Sequence, residues 1–198
     1  MEGSGPPVRE TIEFARIVAF TDGVFAIAIT LLVLSLEVPA DVSAAELHEE
    51  LLDSRAQLFA YFLSFAVIGR FWLTHHRMFS VMFSFDSRLM VLNLVSLSLV
   101  VLIPFPTELL GEYGSDVDAV VMYAFVVGAA ALLNCVLLRH ALGRGHVRPD
   151  GRPAARDLLS GSLQVAIVFF VSIPVALVNP VIGQLIWLGL ALDAVRHR

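Results

Sequence analysis

No lysine occurs among the 198 residues, so all 13 basic residues are arginine, and charged residues of both signs make up only 16% of the chain. Cysteine is nearly absent as well. Cys135 stands alone, which excludes an intrachain disulfide and leaves the role of a buried small hydrophobe. Enzyme signatures are missing: there is no HExxH, no glycine-rich phosphate loop and no paired-cysteine motif. His75 and His76 are adjacent and would point about 100° apart on a helix, a poor geometry for joint metal ligation. No metal, no cofactor and no catalytic residue is expected. The net charge of −5 gives no reason to expect nucleic-acid binding.

What is present is apolar. The chain is 58% hydrophobic with a mean hydropathy of +0.81, beyond what a soluble domain of this size needs for one core. Apolar runs at about 16–37, 56–74, 89–106, 119–138, 158–178 and 180–195 predict six transmembrane helices. Each is near the roughly 20 residues that cross a hydrocarbon layer about 30 Å thick. Six spans fill the chain, so the expectation is an all-α, polytopic protein with a single membrane domain over 1–198.

The arginines orient it. Arg9, Arg16, Arg70, Arg77, Arg88, Arg139, Arg144, Arg148, Arg152, Arg156, Arg196 and Arg198 fall in or beside cytoplasmic segments if both termini are cytoplasmic, and only Arg55 falls outside. Topology follows this arginine bias rather than net charge. The two longer external loops are acidic, with Glu37, Asp41, Glu46, Glu49, Glu50 and Asp53 in one and Glu108, Glu112, Asp116 and Asp118 in the other. A cleaved signal peptide is the competing reading of the first span, with Val42-Ser43-Ala44 as its cleavage site. Glu2, Glu10 and Glu13 in the preceding tail argue against it, as does the arginine pattern that its removal would spoil.

Within the loops, AAELHEELLD (44–53) is amphipathic enough for a short interfacial helix, although a solvated loop fits equally. The arginine-, glycine- and proline-rich 139–157 segment reads as mobile. Asn179-Pro180 punctuates a tight hairpin, since a proline opening a helix lacks only a donor that would be unpaired there. Pro104 and Pro174 lie inside spans, where neighbours must satisfy the freed carbonyls.

The first span holds a carboxylate, Asp22, about one and a half turns inside its apolar run. At a helix centre such a group costs roughly 2.5–3.5 kcal/mol on insertion scales, and less near the edge. It needs a hydrogen-bond partner or water. On a helical wheel Arg16, Phe20, Gly23, Ile27, Thr30, Leu34 and Glu37 share one stripe, with Leu31 on its flank and Asp22 about 120° from its middle. The stripe fits a pore lining, but the plainer reading is a face packed in the protein core or turned to lipid, which periodicity alone does not exclude. In the second span Trp72, His76 and Phe79 follow i, i+4, i+7 spacing with His75 on the flank. Trp donates, and neutral His both donates and accepts, so this face suits Asp22 and Thr21, with Asn93 joining at the same depth. An interfacial aromatic beside solvated histidines is the alternative.

These motifs together resemble a known family. Arg16-xxx-Phe20-Thr21-Asp22 resembles the RxxxFSD signature of the transmembrane protein 175 family of lysosomal and prokaryotic potassium channels, with Thr21 in place of serine. FAIAITLLVL after it, FWLTHHRMF in the second span, and LN followed by IPFPTELL in the third also match, over about residues 16–110. The resemblance implies a bacterial, single-repeat homotetramer in the cell membrane (the inner membrane), with the first helix of each subunit lining a central potassium pore. It implies a hydrophobic constriction at Ile27, Leu31 and Leu34, a selectivity role for Thr30, and a structural polar network of Arg16, Thr21, Asp22, Trp72, His75 and Asn93. No TVGYG-type filter belongs to that pattern, and none occurs here. The implied partners are potassium ions, the lipid bilayer and further copies of the chain. A proton-permeable channel or proton-coupled transporter using Asp22 and His75 is the alternative.

Overall fold

Hydrocarbon offers backbone N–H and C=O groups no partners, so a spanning chain must satisfy them within helices or a closed barrel. The computed structural model describes residues 8–36 and 54–196. Among these residues the elements are α1 (Val8–Leu31), continued by a 3-10 turn at Leu32–Ser35, then α2 (Arg55–Val81), α3 (Ser87–Leu102), α4 (Pro104–Glu112), α5 (Val117–Arg144), a second 3-10 turn at Pro149–Gly151, α6 (Arg152–Ala176) and α7 (Pro180–Arg196). Five segments are long and apolar enough to cross a membrane, with Ser87–Glu112 counted as one; α7, apolar over Pro180–Gly189, is shorter. The chain is an all-α, multi-pass membrane protein. The amphipathic piece 44–53 and the acidic run Glu37–Asp53 lie outside the described residues.

The helices overrun the apolar runs that predicted them. α2 has 27 residues, about 40 Å at 1.5 Å per residue, against a hydrocarbon thickness of about 30 Å. Hydropathy marks only the immersed part of a helix. Pro104 divides the third span: α3 gives way at Ile103 and α4 opens with Pro104 in its first turn, where the missing N–H costs no bond. At the α6–α7 hairpin Asn179 Oδ1 accepts the Ile182 N–H at 3.1 Å. Gly183 allows the two helices to close, since a Cβ there would sit 2.8 Å from the Ala176 Cβ.

The 139–157 segment differs from its expectation. α5 runs through to Arg144 and α6 begins at Arg152, so most of the segment is helical. Gly145 ends α5 in the left-handed conformation, φ 75°, which costs glycine little. The short remainder is pinned to the α2–α3 connection. Val147 bridges Met82, the Phe83 N–H donates to the His146 carbonyl at 3.1 Å and the Arg148 N–H to the Val81 carbonyl at 3.0 Å. Composition suggested mobility; buried Val147 and Ala155 supply the anchoring that composition hides.

α5 is the hub. It packs most extensively on α6 and α3, while α7 leans chiefly on α6, and α1 rests on α3 and α2 at one side. Polar side chains stitch the helices together. Tyr123 OH and Ser64 Oγ lie 3.0 Å apart, Thr107 Oγ1 is 2.7 Å from Ser64 Oγ, Ser96 donates to Asn134 Oδ1 at 3.2 Å and Trp187 to Ser172 at 2.8 Å. Such bonds average roughly 0.6 kcal/mol in a membrane, so packing of the small residues along α5 carries more of the stability.

Candidate functional site

α1 has two faces of the same apolar character and opposite fates. Thr21, Phe25, Ala28, Leu32 and Ser35 form a buried seam against the rest of the chain. Arg16, Phe20, Gly23, Ile27, Thr30, Leu31 and Leu34 all stand exposed on the other side. Ile27 is 58% and Leu34 72% exposed, whereas Ala28 and Leu32 are fully covered. The spacing of four and three residues recurs along both faces, as expected of one helix with two stripes. At Gly23 a Cβ would meet nothing within 4 Å.

Thr30 is the one hydroxyl on the exposed stripe. Its Oγ1 donates to the Ile27 carbonyl at 2.8 Å. The proton is thereby occupied, and the oxygen lone pairs remain available on the exposed face.

A second layer lies between α1, α2 and α3. Trp72 Nε1 donates to Asp22 Oδ1 at 2.9 Å, and Asn93 Nδ2 donates to Thr21 Oγ1, also at 2.9 Å. Thr21 and Asn93 are buried, Asp22 is half-buried and Trp72 exposed. His75 is buried at the same level with its ring against Phe25. Its Nδ1 lies 3.2 Å from the Phe71 carbonyl, so Nδ1 donates and Nε2 is the acceptor of the neutral ring. His75 Nε2 and Asn93 Oδ1 are buried with no hydrogen-bond partner among the described residues. His76 is exposed, with its ring 5.6 Å from that of Trp72. Arg16 is exposed and, among the described residues, makes no hydrogen bond to Thr21, Asp22 or Trp72.

The comparisons with known proteins match this geometry to one group. The family model described as endosomal/lysosomal potassium channel TMEM175 covers residues 16–104, from Arg16 to the α3–α4 break. A potassium channel of Streptomyces collinus is 43% identical over 152 residues, 73% of each chain. The chain belongs to the TMEM175 family. The crystal structure of a lysosomal potassium-selective channel TMEM175 homolog from Chamaesiphon minutus superposes with a TM-score of 0.82 at 33% identity, covering 93% of this chain and 97% of that one. An endosomal/lysosomal proton channel TMEM175 of Gallus gallus is 29% identical over 75% of this chain and 32% of its own length. The TMEM175 family members and structural neighbours are ion channels, not enzymes.

One cluster escaped the sequence reading. Asp86, His140 and His146 converge at the α2–α3 connection, although they stand 54 and 60 residues apart. No spacing motif announces them, because the α5 C-terminus and the following turn bring them together.

Proposed function

We propose that this TMEM175 family member is a potassium-selective channel, a homotetramer whose central pore is lined by the exposed stripe of α1. The observation that carries the reading is the stripe itself: Ile27, Thr30, Leu31 and Leu34 are apolar or weakly polar, exposed, and continuous with one another. Further copies of α1 would cover its flanks and leave its centre facing an axis. Potassium conduction draws on the Streptomyces and Chamaesiphon relatives, both described as potassium channels.

The chemistry follows from the residue types. Four copies of Ile27 and Leu31 make a dry collar, and such constrictions gate by dewetting. A small rotation or dilation of α1 wets it. Potassium gives up part of its hydration shell more cheaply than sodium does, and the Thr30 oxygens, with their protons held by the Ile27 carbonyls, replace some of the lost water. The exposed acids Glu108, Glu112, Asp116 and Asp118 raise the cation concentration at the outer mouth. The arginine bias places both termini in the cytoplasm. The Trp72–Asp22 and Asn93–Thr21 bonds couple α1 to α2 and α3, and His75 fills the space behind Phe25.

The decisive experiment loads vesicles containing the purified protein with potassium and follows efflux with no proton gradient imposed. Passive potassium flux that exceeds sodium flux supports the channel. Flux only when protons move in exchange overturns it in favour of a coupled transporter using Asp22 and His75. Proton passage through the same pore is the second reading, favoured by the proton-channel description of the Gallus relative. A pH-sensitive dye inside the same vesicles measures it.

A further inference from the structure

We propose that Asp86, His140 and His146 form a binding site for a divalent transition-metal ion of the zinc type, at the end of the bundle from which α3 starts and at which α5 ends. His140 Nε2 lies 2.9 Å from Asp86 Oδ2 and His146 Nε2 lies 3.2 Å from the same oxygen. The three ligand atoms all fall within 4.8 Å of one another. Two imidazoles and one carboxylate are a ligand set that zinc takes with an open fourth position. Metal–ligand bonds of 2.0–2.2 Å in a tetrahedron separate the ligand atoms by about 3.3 Å. The two histidine–carboxylate distances therefore need to widen by only a few tenths of an ångström, and the two imidazole nitrogens, within 4.8 Å of each other, settle at the same spacing by rotation of the rings.

The surroundings are organised for ligation as well. Ser84 Oγ lies 2.8 Å from His146 Nδ1. With Ser84 accepting the Nδ1 proton, the Nε2 lone pair is directed at the ion, which is how outer partners fix a ligand's tautomer. Asp86 Oδ1 is already committed, accepting the Leu89 N–H at 2.7 Å as the cap of α3. That leaves Oδ2 as the ligand oxygen. The two imidazole rings stand nearly parallel with centroids 6.2 Å apart, and side-chain exposures of 11% and 15% for the histidines and 35% for the aspartate leave an entry path on the carboxylate side. Without metal the histidine N–H groups donate to Oδ2; an ion displaces those protons. Binding would clamp the start of α3 to the end of α5. Phe85, next in sequence, packs on Phe14 of α1 with ring centroids 6.1 Å apart, so the clamp braces the inner end of that helix.

The test uses the full chain, purified in mild detergent and stripped with a chelator. Zinc is then titrated in competition with a chromophoric chelator. The wild type should take up one competing equivalent per subunit. His140→Gln and His146→Gln should each abolish it, and Ser84→Ala should weaken it about 10–100-fold, the range for loss of an outer-shell partner. Asp86→Asn keeps the α3 cap and should also lose the equivalent. Each variant must elute like the wild type to count. Should the histidine variants fail to fold, zinc-edge absorption on the wild type decides: two imidazole nitrogens at about 2.0–2.1 Å support the site. Wild-type uptake equal to that of a folded His140→Gln, His146→Gln double variant overturns it, as does an all-oxygen shell.

Discussion

α1 and α5 are nearly matched in apolar character, yet within one chain their fates diverge: 22% of α1's most apolar stretch is buried against 61% of α5's. Both have the length and hydropathy of a spanning helix, so neither property distinguishes them. Their side-chain sizes do. α5 is lined with small residues, among them Ala124, Gly128, Ala130, Ala131 and Ala141, all buried, which let α3 and α6 approach closely. α1 presents Phe20, Ile27, Leu31 and Leu34 outward, bulky groups that the described residues of the chain leave partly or largely uncovered. Lipid tails would cover such a face as readily as protein does, because lipid is as apolar as leucine. Exposure alone therefore does not separate a pore face from a lipid face; the continuous run of Ile27, Thr30, Leu31 and Leu34 with its single hydroxyl favours the pore.

The comparison breaks most visibly where α5 is damaged. Tyr123 is fully buried, 3.0 Å from Ser64 and against the Trp187 ring at 5.1 Å. Tyr123→Ala leaves a cavity at the meeting point of α2, α5 and α7, and loss of a buried large aromatic costs roughly 3–5 kcal/mol. The yield of monodisperse protein and its thermal unfolding in detergent should both fall sharply. Leu34→Ala, at a side chain 72% exposed, should leave the unfolding temperature within error. Equal destabilisation by the two changes would mean that the α1 stripe is an ordinary packed face.

The next largest effect is on permeation. If copies of Ile27 form the proposed dry collar, Ile27→Asn replaces it with a ring of amides, so basal flux should rise severalfold and discrimination among cations should weaken. Ile29 is partly buried against the core, so a polar change there disturbs folding. Ala26→Asn is the better control, exposed on the same helix but about 100° around it. A rise in flux from Ala26→Asn without one from Ile27→Asn would relocate the pore axis.

The layer behind the stripe should respond differently. Asp22→Ala removes the acceptor of Trp72 and Asn93→Leu removes the donor to Thr21. Thr21 is buried, and a buried polar group left unsatisfied costs about 1–3 kcal/mol, enough to shift assembly without unfolding each subunit; the exposed Trp72 makes the Asp22 change the milder of the two. If the chain assembles as the proposed tetramer, size-exclusion profiles should lose that peak before the protein aggregates. A normal tetramer with only altered current would argue that these residues serve permeation instead.

How much of this the residues announced varies with the range of the interaction. The helices and the hairpin at Asn179-Pro180 are local events, and local sequence shows them; Pro104 reads as a kink within a span, where the structure ends one helix and starts another. The two faces of α1 follow from a 3.6-residue period, which separates faces but does not say which one its own chain covers. Thr21 and Asn93 are 72 residues apart; their common depth in the membrane and the family resemblance group them, and neither gives the hydrogen bond between the two. Asp86, His140 and His146 had no such cue, because His140 reaches Asp86 from the last turns of α5 and His146 does so only after Gly145 turns the chain back. The same turn explains why an arginine- and glycine-rich segment holds still.

The smallest expected change tests the finest assignment on α1. Thr30 and valine have nearly the same shape, and Thr30 spends its proton on the Ile27 carbonyl. Thr30→Val therefore removes an oxygen from the exposed stripe and little else. The helix loses one side-chain bond to its own backbone, of the kind that slightly destabilises helices, so folding should be unaffected. If the Thr30 oxygens replace water around a passing ion, each potassium ion loses up to four ligands, and the cost of dehydration returns in part. Because sodium is the harder ion to dehydrate, it enters this ring still hydrated and loses less from the change. Potassium preference should fall severalfold, by about 1 kcal/mol, with 1.4 kcal/mol corresponding to a factor of ten. Reversal potentials under bi-ionic potassium and sodium conditions read the ratio directly. An unchanged ratio would leave the Ile27–Leu31 collar as the sole source of selectivity, and Thr30 as a residue that faces the pore without reading the ion.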